Sequence, residues 1–172
     1  MQKFRILLVC MGNICRSPTA EGVLQAMADR RQLSDQLTLD SAGTHGYHIG
    51  KPPDPRAVKA AAARQYDISM LRSRCLERED FNRFDLILAA DRQNLRDMQA
   101  LRAQGADNGT AQLRMMLDFL PADSPLAVID EVPDPYYGGA SGFERVLDLL
   151  ELSCQGVLDS YERGDFRKPA GD

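Results

Sequence analysis

Phe4-Arg5-Ile6-Leu7-Leu8-Val9-Cys10-Met11-Gly12-Asn13-Ile14-Cys15-Arg16-Ser17-Pro18 is the stretch on which the fold turns. Its first six residues form a short aliphatic run of the kind that makes a strand buried on both faces. The run stops at Gly12-Asn13, the residue types that most readily take positive φ. Beyond Pro18, the apolar residues Ala20, Val23, Leu24, Met27 and Ala28 recur at helical spacing, while Glu21, Gln25 and Asp29 take the other face. Ser17 reads as the N-cap of that helix, with Pro18 at its first position.

Further along, Leu37-Thr38-Leu39 fits a second strand ending at Ser41-Ala42-Gly43, and a Gly/Pro-rich loop leads to an Ala-rich helix at about 56–65. Phe84 to Ala90 is another strand candidate, after which Asp91 caps a helix carrying Leu95, Met98 and Leu101 on one face. Residues 105–112 are polar and turn-rich. The run Leu113 to Leu120 is ambiguous by periodicity and is read as a strand, because the last helix needs another edge to pack against. That helix carries Phe143, Val146, Leu147, Leu150, Cys154, Val157, Leu158 and Tyr161 on one stripe and stops at Gly164. Alternating β and α units imply one α/β domain over 1–172, a parallel sheet with helices on both faces, and a loose tail from about 165.

A chain of 172 residues can bury one sizeable core. Its 44% hydrophobic and 27% charged content is that of a soluble globular protein, not of a disordered or membrane-spanning one. The 21 Lys+Arg against 25 Asp+Glu leave a formal charge of −4, with no basic excess to gather nucleic acid or anionic lipid. Any anion site must be local. The opening apolar run is too short for a signal peptide or a membrane span, so a cytoplasmic protein is expected. Cys10, Cys15, Cys75 and Cys154 then read as free thiols. With no CxxC pair and with His45 and His48 far along the chain from any cysteine, neither a metal site nor a cofactor is expected.

In open α/β sheets ligands sit beyond the carboxyl ends of the strands, which directs attention to residues 10–18. Because Gly12 and Asn13 tolerate positive φ, that loop can curl into a cup of converging N–H groups, a shape that binds an oxyanion. The following helix adds its positive end, and Arg16 offers a planar fork to two oxygens of a phosphoryl group. Cys10 stands at the bottom of this cup. Cysteines in such surroundings titrate between about 3.5 and 7.5 rather than near 8.5, and the thiolate is the nucleophile. A thiolate beneath a bound phosphomonoester is placed for in-line attack on phosphorus without a metal, with Ser17 donating its hydroxyl to the departing sulfur. Asp134, stiffened between Pro133 and Pro135, is the candidate acid for the leaving group and base for the hydrolytic water. Tyr136 and Tyr137 are able to wall a slot for a flat ring.

Cys-x5-Arg-Ser after one strand, then Pro18-Thr19-Ala20-Glu21, with Asp-Pro-Tyr-Tyr-Gly at 134–138, resembles the low-molecular-weight protein tyrosine phosphatase family over nearly the whole chain. Ser41-Ala42-Gly43-Thr44, Pro52-Pro53-Asp54, Glu79-Asp80-Phe81 and Asp91-x-x-Asn94-Leu95-Arg96 stand where that family has similar segments. The resemblance implies a phosphotyrosine phosphatase on a four-stranded parallel sheet. Cys10 would be nucleophile, Arg16 phosphate binder and Asp134 general acid, with the loop Met11, Gly12, Asn13, Ile14, Cys15 and Ser17 at the phosphate. It also implies a reversible Cys10–Cys15 disulfide protecting the nucleophile, and Tyr47 facing the Asp134-loop tyrosines across the cleft. Leu71 departs from the pattern. It falls where some relatives have a histidine that joins the serine matching Ser41 in bonding the asparagine matching Asn13, so loop support is expected from Ser41 alone.

The expected partner is a tyrosine-phosphorylated protein, a tyrosine kinase among the candidates, with inorganic phosphate as product and competitive inhibitor. No nucleic acid or membrane partner is expected, and the chain should be a monomer or weak dimer. Plainer readings stand beside these. Cys10 or Cys15 could be packed thiols, Cys75 and Cys154 are read as inert, Met115 and Met116 as core filler, and His45 and His48 as solvated loop residues. The run Arg72, Arg74, Arg78 reads as a wet face or as a receiver of acidic segments. Among rival functions, arsenate reductase needs further cysteines that are absent between Asp80 and Leu120. A protein-arginine phosphatase has threonine where Ile14 stands, and a non-catalytic phosphate-binding adaptor would lack the nucleophile or the acid.

Overall fold

The computed structural model describes residues 2–167. Four strands, β1 (Phe4–Cys10), β2 (Leu37–Gly43), β3 (Leu86–Ala89) and β4 (Gln112–Met115), all pair in parallel in the order β2-β1-β3-β4. Around them lie α1 (Arg16–Arg30), α2 (Pro55–Ala63), the single turn α3 (Asp80–Arg83), α4 (Arg92–Ala103) and α5 (Ala140–Arg163). Side chains of the two central strands alternate between faces. Ile6, Leu8, Cys10, Leu86 and Leu88 join the core under α1 and α5, whereas Leu7, Val9, Ile87 and Ala89 meet Phe81, Phe84 and Met98 around α3 and α4. Burial on both faces is why the first run reads as unbroken aliphatic sequence.

The chain leaves β1 for β2 on one side and returns to β3 on the other, which opens a crevice at the carboxyl ends of β1 and β3. The loop after β1 and Asp91 after β3 both enter it. Asp91 closes a capping box with Asn94, and Gly164 ends α5 at φ 80°, both as the sequence signals require.

Several boundaries differ from expectation for local reasons. β2 runs to Gly43, with Ser41, Ala42 and Gly43 in register with Leu8, Val9 and Cys10. α2 starts at Pro55, its N-cap Asp54 accepting from the Arg56 amide at 2.8 Å, and Gln65 at φ 69° lies just past its end. α1 starts at Arg16, so Ser17 is inside the helix and is not its cap. The Leu113–Leu120 strand fails after Met115. Asp118 accepts the Met115 amide and bends 116–119 into a 3₁₀ turn that buries Met116, Leu117 and Phe119 together. The loose tail expected from about 165 lies mostly outside the described residues. Within them Phe166 is buried, stacked on Phe4 at 5.5 Å.

Candidate active site

Residues 11–15 cross from β1 to α1 with their carbonyls taken from behind. The Cys10 oxygen accepts from the Thr44 amide at 2.9 Å, Met11 from the His45 amide at 3.0 Å, and Gly12 from the Ser73 hydroxyl at 3.1 Å. Ile14 accepts from the Asp54 amide at 2.8 Å and Cys15 from the Thr19 hydroxyl at 2.6 Å. Every peptide here is trans, so each carbonyl and the amide that follows it point opposite ways. Bonding these carbonyls outward therefore turns the amides of Met11, Gly12, Asn13, Cys15 and Arg16 inward, with Asn13 at φ 57° making the turn. Gly43 allows β2 to back the loop, since a Cβ there would stand 2.7 Å from the Met11 carbonyl oxygen.

A hydrogen-bond polarity follows from one backbone amide. Arg74 N–H donates to Asn13 Oδ1 at 3.0 Å, which fixes the side-chain amide and leaves its Nδ2 to donate to Ser17 Oγ at 2.8 Å and Ser41 Oγ at 3.0 Å. Ser17 Oγ also lies 3.0 Å from Cys10 Sγ, within reach for its hydroxyl to donate to the sulfur when that sulfur is a thiolate. Ser41 does not support the loop alone, contrary to expectation. The backbone of Arg74 supplies the third bond to Asn13, Ser73 holds Gly12, and Leu71 instead packs against the apolar core.

Arg16 is buried beneath the cup. Its Nη1 donates to Asp91 Oδ2 at 2.7 Å and to the Val132 carbonyl at 3.1 Å, and its Nη2 lies 3.8 Å from Asp134 Oδ2. Asp91 uses its other oxygen to cap α4 through the Asn94 amide at 2.7 Å. One carboxylate thus fixes both a helix start and the guanidinium. Cys15 is also buried, and its thiol is pushed up to about 12 by burial first and then by the charges of Asp54, Cys10 and Asp134. It stays protonated near neutrality.

A cleft of about 270 Å³ is lined by Cys10, Met11, Gly12, Ile14, Cys15, Arg16, Tyr47, His48, Asp134, Tyr136 and Tyr137. Asp134 Oδ1 accepts the Tyr136 amide at 3.0 Å, and Tyr136 and Tyr137 meet edge to face at 4.9 Å. Tyr47 lines the same cleft, 71% exposed and stacked on His45 at 5.4 Å. The side chains of Asn13, Ser17 and Ser41 are buried and form the support behind the loop. His48, read from sequence as solvated, lines the cleft beside Gly12. Asp91 was legible only as a helix cap, because its second oxygen meets a residue 75 positions away. Among the described residues no three His, Cys, Asp or Glu side chains converge to hold a metal ion, and no helix is long and apolar enough to cross a membrane.

This cup, cysteine, buried arginine and facing aspartate converge on one cleft at the carboxyl ends of a parallel sheet. A profile of low molecular weight phosphotyrosine protein phosphatase matches residues 5–165. A Synechocystis sp. protein assigned to the low molecular weight protein-tyrosine-phosphatases is 42% identical over 91% of this chain and 95% of its own length. A protein tyrosine phosphatase from Entamoeba histolytica with Hepes in its active site superimposes with TM-score 0.85 and 37% identity, covering 95% of this chain and 99% of that one. A Drosophila arginine phosphatase shares the fold with TM-score 0.84 and 27% identity, covering 91% of this chain and 97% of its own. The chain belongs to the low molecular weight phosphotyrosine protein phosphatase family, a family of hydrolases.

Proposed function

We propose that the protein hydrolyses phosphotyrosine in protein substrates through a phosphocysteine intermediate without a metal. The observation that carries this reading is the placement of Cys10, its sulfur 3.0 Å from the Ser17 hydroxyl at the base of a ring of inward amides. A phosphoryl group seated in the cup would have its oxygens on those amides and on Arg16. The Cys10 sulfur attacks phosphorus as the bond to the phenolic oxygen breaks, and Asp134 gives that oxygen its proton. Asp134 then takes a proton from water, the water oxygen bonds phosphorus, and the sulfur departs toward the Ser17 hydroxyl. Inorganic phosphate is released and competes for the same cup. General acid help of this kind contributes on the order of 10²–10⁴-fold.

The Drosophila relative favours a second reading, phosphoarginine hydrolysis. Ile14 separates the two, because its branched apolar side chain on the cleft wall packs on a ring and offers nothing to a guanidinium. Matched peptides carrying phosphotyrosine, phosphoserine or phosphoarginine test both. We expect kcat/KM for phosphotyrosine to lead by about 100-fold or more, with Cys10→Ser inactive on all three. A preference for phosphoarginine overturns the substrate assignment, and turnover by Cys10→Ser overturns the mechanism.

A further inference from the structure

The acid loop and the phosphate loop come from opposite ends of the chain, yet a short circuit of hydrogen bonds joins them. The Ile14 carbonyl, on the wall of the cup, accepts from the Asp54 amide at 2.8 Å. The Asp54 carboxylate, itself buried, takes two bonds from Arg56, one from Nε at 3.0 Å and one from Nη2 at 2.8 Å. That same Nη2 donates onward to the Tyr136 carbonyl at 3.0 Å. Tyr136 closes the circuit, its amide donating to Asp134 Oδ1 at 3.0 Å and leaving Oδ2 facing Arg16 at 3.8 Å. The guanidinium carbon also lies over two rings, 4.9 Å from the Phe143 centroid and 5.6 Å from that of Tyr136.

We infer that Arg56 is a positioning residue for the general acid: it sets the height of the Asp134 carboxyl over the cup by bridging Asp54 and the Tyr136 carbonyl. The inference rests on Asp134 acting as the acid. A guanidinium fork can hold a carboxylate edge-on and still reach a carbonyl with the same face, whereas an ammonium is a point donor without that fixed geometry. Prolines on either side of Asp134 restrict the loop internally but attach it to nothing. Arg56 is its side-chain anchor to α2, and through Asp54 to the cup. Without that anchor the phosphate cup keeps its own supports, Ser73, Arg74 and Thr44, none of which touches Arg56.

The test compares Arg56→Met, Arg56→Lys, Asp134→Ala and the double variant Arg56→Met/Asp134→Ala on aryl phosphates of graded leaving-group acidity, with inorganic phosphate as competitive inhibitor. Arg56→Met should lower kcat/KM, which reports the step that expels the leaving group, on the order of 10-fold for phenol-like leaving groups, and far less for strongly acidic ones that leave without a proton. Phosphate inhibition should stay within about 2-fold of the parent, Arg56→Lys should recover only part of the rate, and the double variant should be no slower than Asp134→Ala alone, as coupled residues require. Losses that multiply in the double variant, that ignore the leaving group, or that come with weakened phosphate inhibition overturn the positioning role. If Asp134→Ala itself shows no leaving-group dependence, the acid assignment fails instead, and the two failures are told apart within one set of curves.

Discussion

Glu21 lies on the polar side of α1 by periodicity, yet packing against β2 leaves it largely out of water. Its carboxyl is pushed up from 4.5 to about 7, by burial first and by the Asp40 charge, with Ser41 and Arg74 pulling the other way. A carboxyl raised in the folded state binds more protons there than in the unfolded chain, so this residue's contribution to stability is fully present below about pH 4.5 and is lost as pH rises through about 7. Two to three units correspond to roughly 3 kcal/mol as an upper figure. Glu21→Gln removes the titration. Urea midpoints of parent and variant should therefore diverge between pH 5 and pH 8, the variant gaining relative stability at the higher pH; parallel midpoints would show that Glu21 ionises freely. The residue also marks a limit of sequence reading. Helical spacing assigns a face to Glu21 but not the neighbour that covers it, just as it showed Asp91 as a cap and not as the anchor of Arg16.

α5 was the most legible element, since every apolar residue of its stripe repeats at helical spacing and the ends carry their own signals. What sequence did not reveal is why a glycine sits in its middle. A Cβ at Gly156 would come within 1.9 Å of the Phe119 carbonyl oxygen, in the 3₁₀ turn that replaces the second half of the expected fourth strand. That turn is pinned beneath α5 by the Ser153 hydroxyl, which donates to the Met116 carbonyl at 2.5 Å. The shortened strand and the glycine in α5 are therefore one feature. The Leu113–Leu120 run leaves the sheet so that Met116, Leu117 and Phe119 can fill the space under α5, and α5 gives up a side chain to admit them. Alanine would improve intrinsic helix propensity by about 1 kcal/mol, but the overlap is with backbone and overpacking costs about 1–3 kcal/mol. Gly156→Ala should lower the urea midpoint with an unchanged slope; a rise would mean that the turn moves aside freely.

For the molecule as a whole, the order β2-β1-β3-β4 turns local signals into a site. Cys10 and Arg16 stood out as candidates because thiol, cup and guanidinium lie within seven residues. Asp134 was readable only as a stiff acidic loop and through its resemblance, since more than a hundred residues of chain separate it from Arg16. The links that gather these parts, Arg74 to Asn13, Asp91 to Arg16 and Arg56 to Tyr136, are contacts between distant residues and leave no periodic trace. What the assembled site is for comes down to whether the sulfur of Cys10 takes the phosphoryl group. The most direct measurement is acid quenching during turnover of an aryl phosphate with a highly acidic leaving group, followed by peptide mapping. The account predicts one phosphoryl group on the tryptic peptide Ile6–Arg16, fragmenting at Cys10 and absent from Cys10→Ser. A phosphoryl group on any other residue, or the same label on the Cys10→Ser protein, would contradict it.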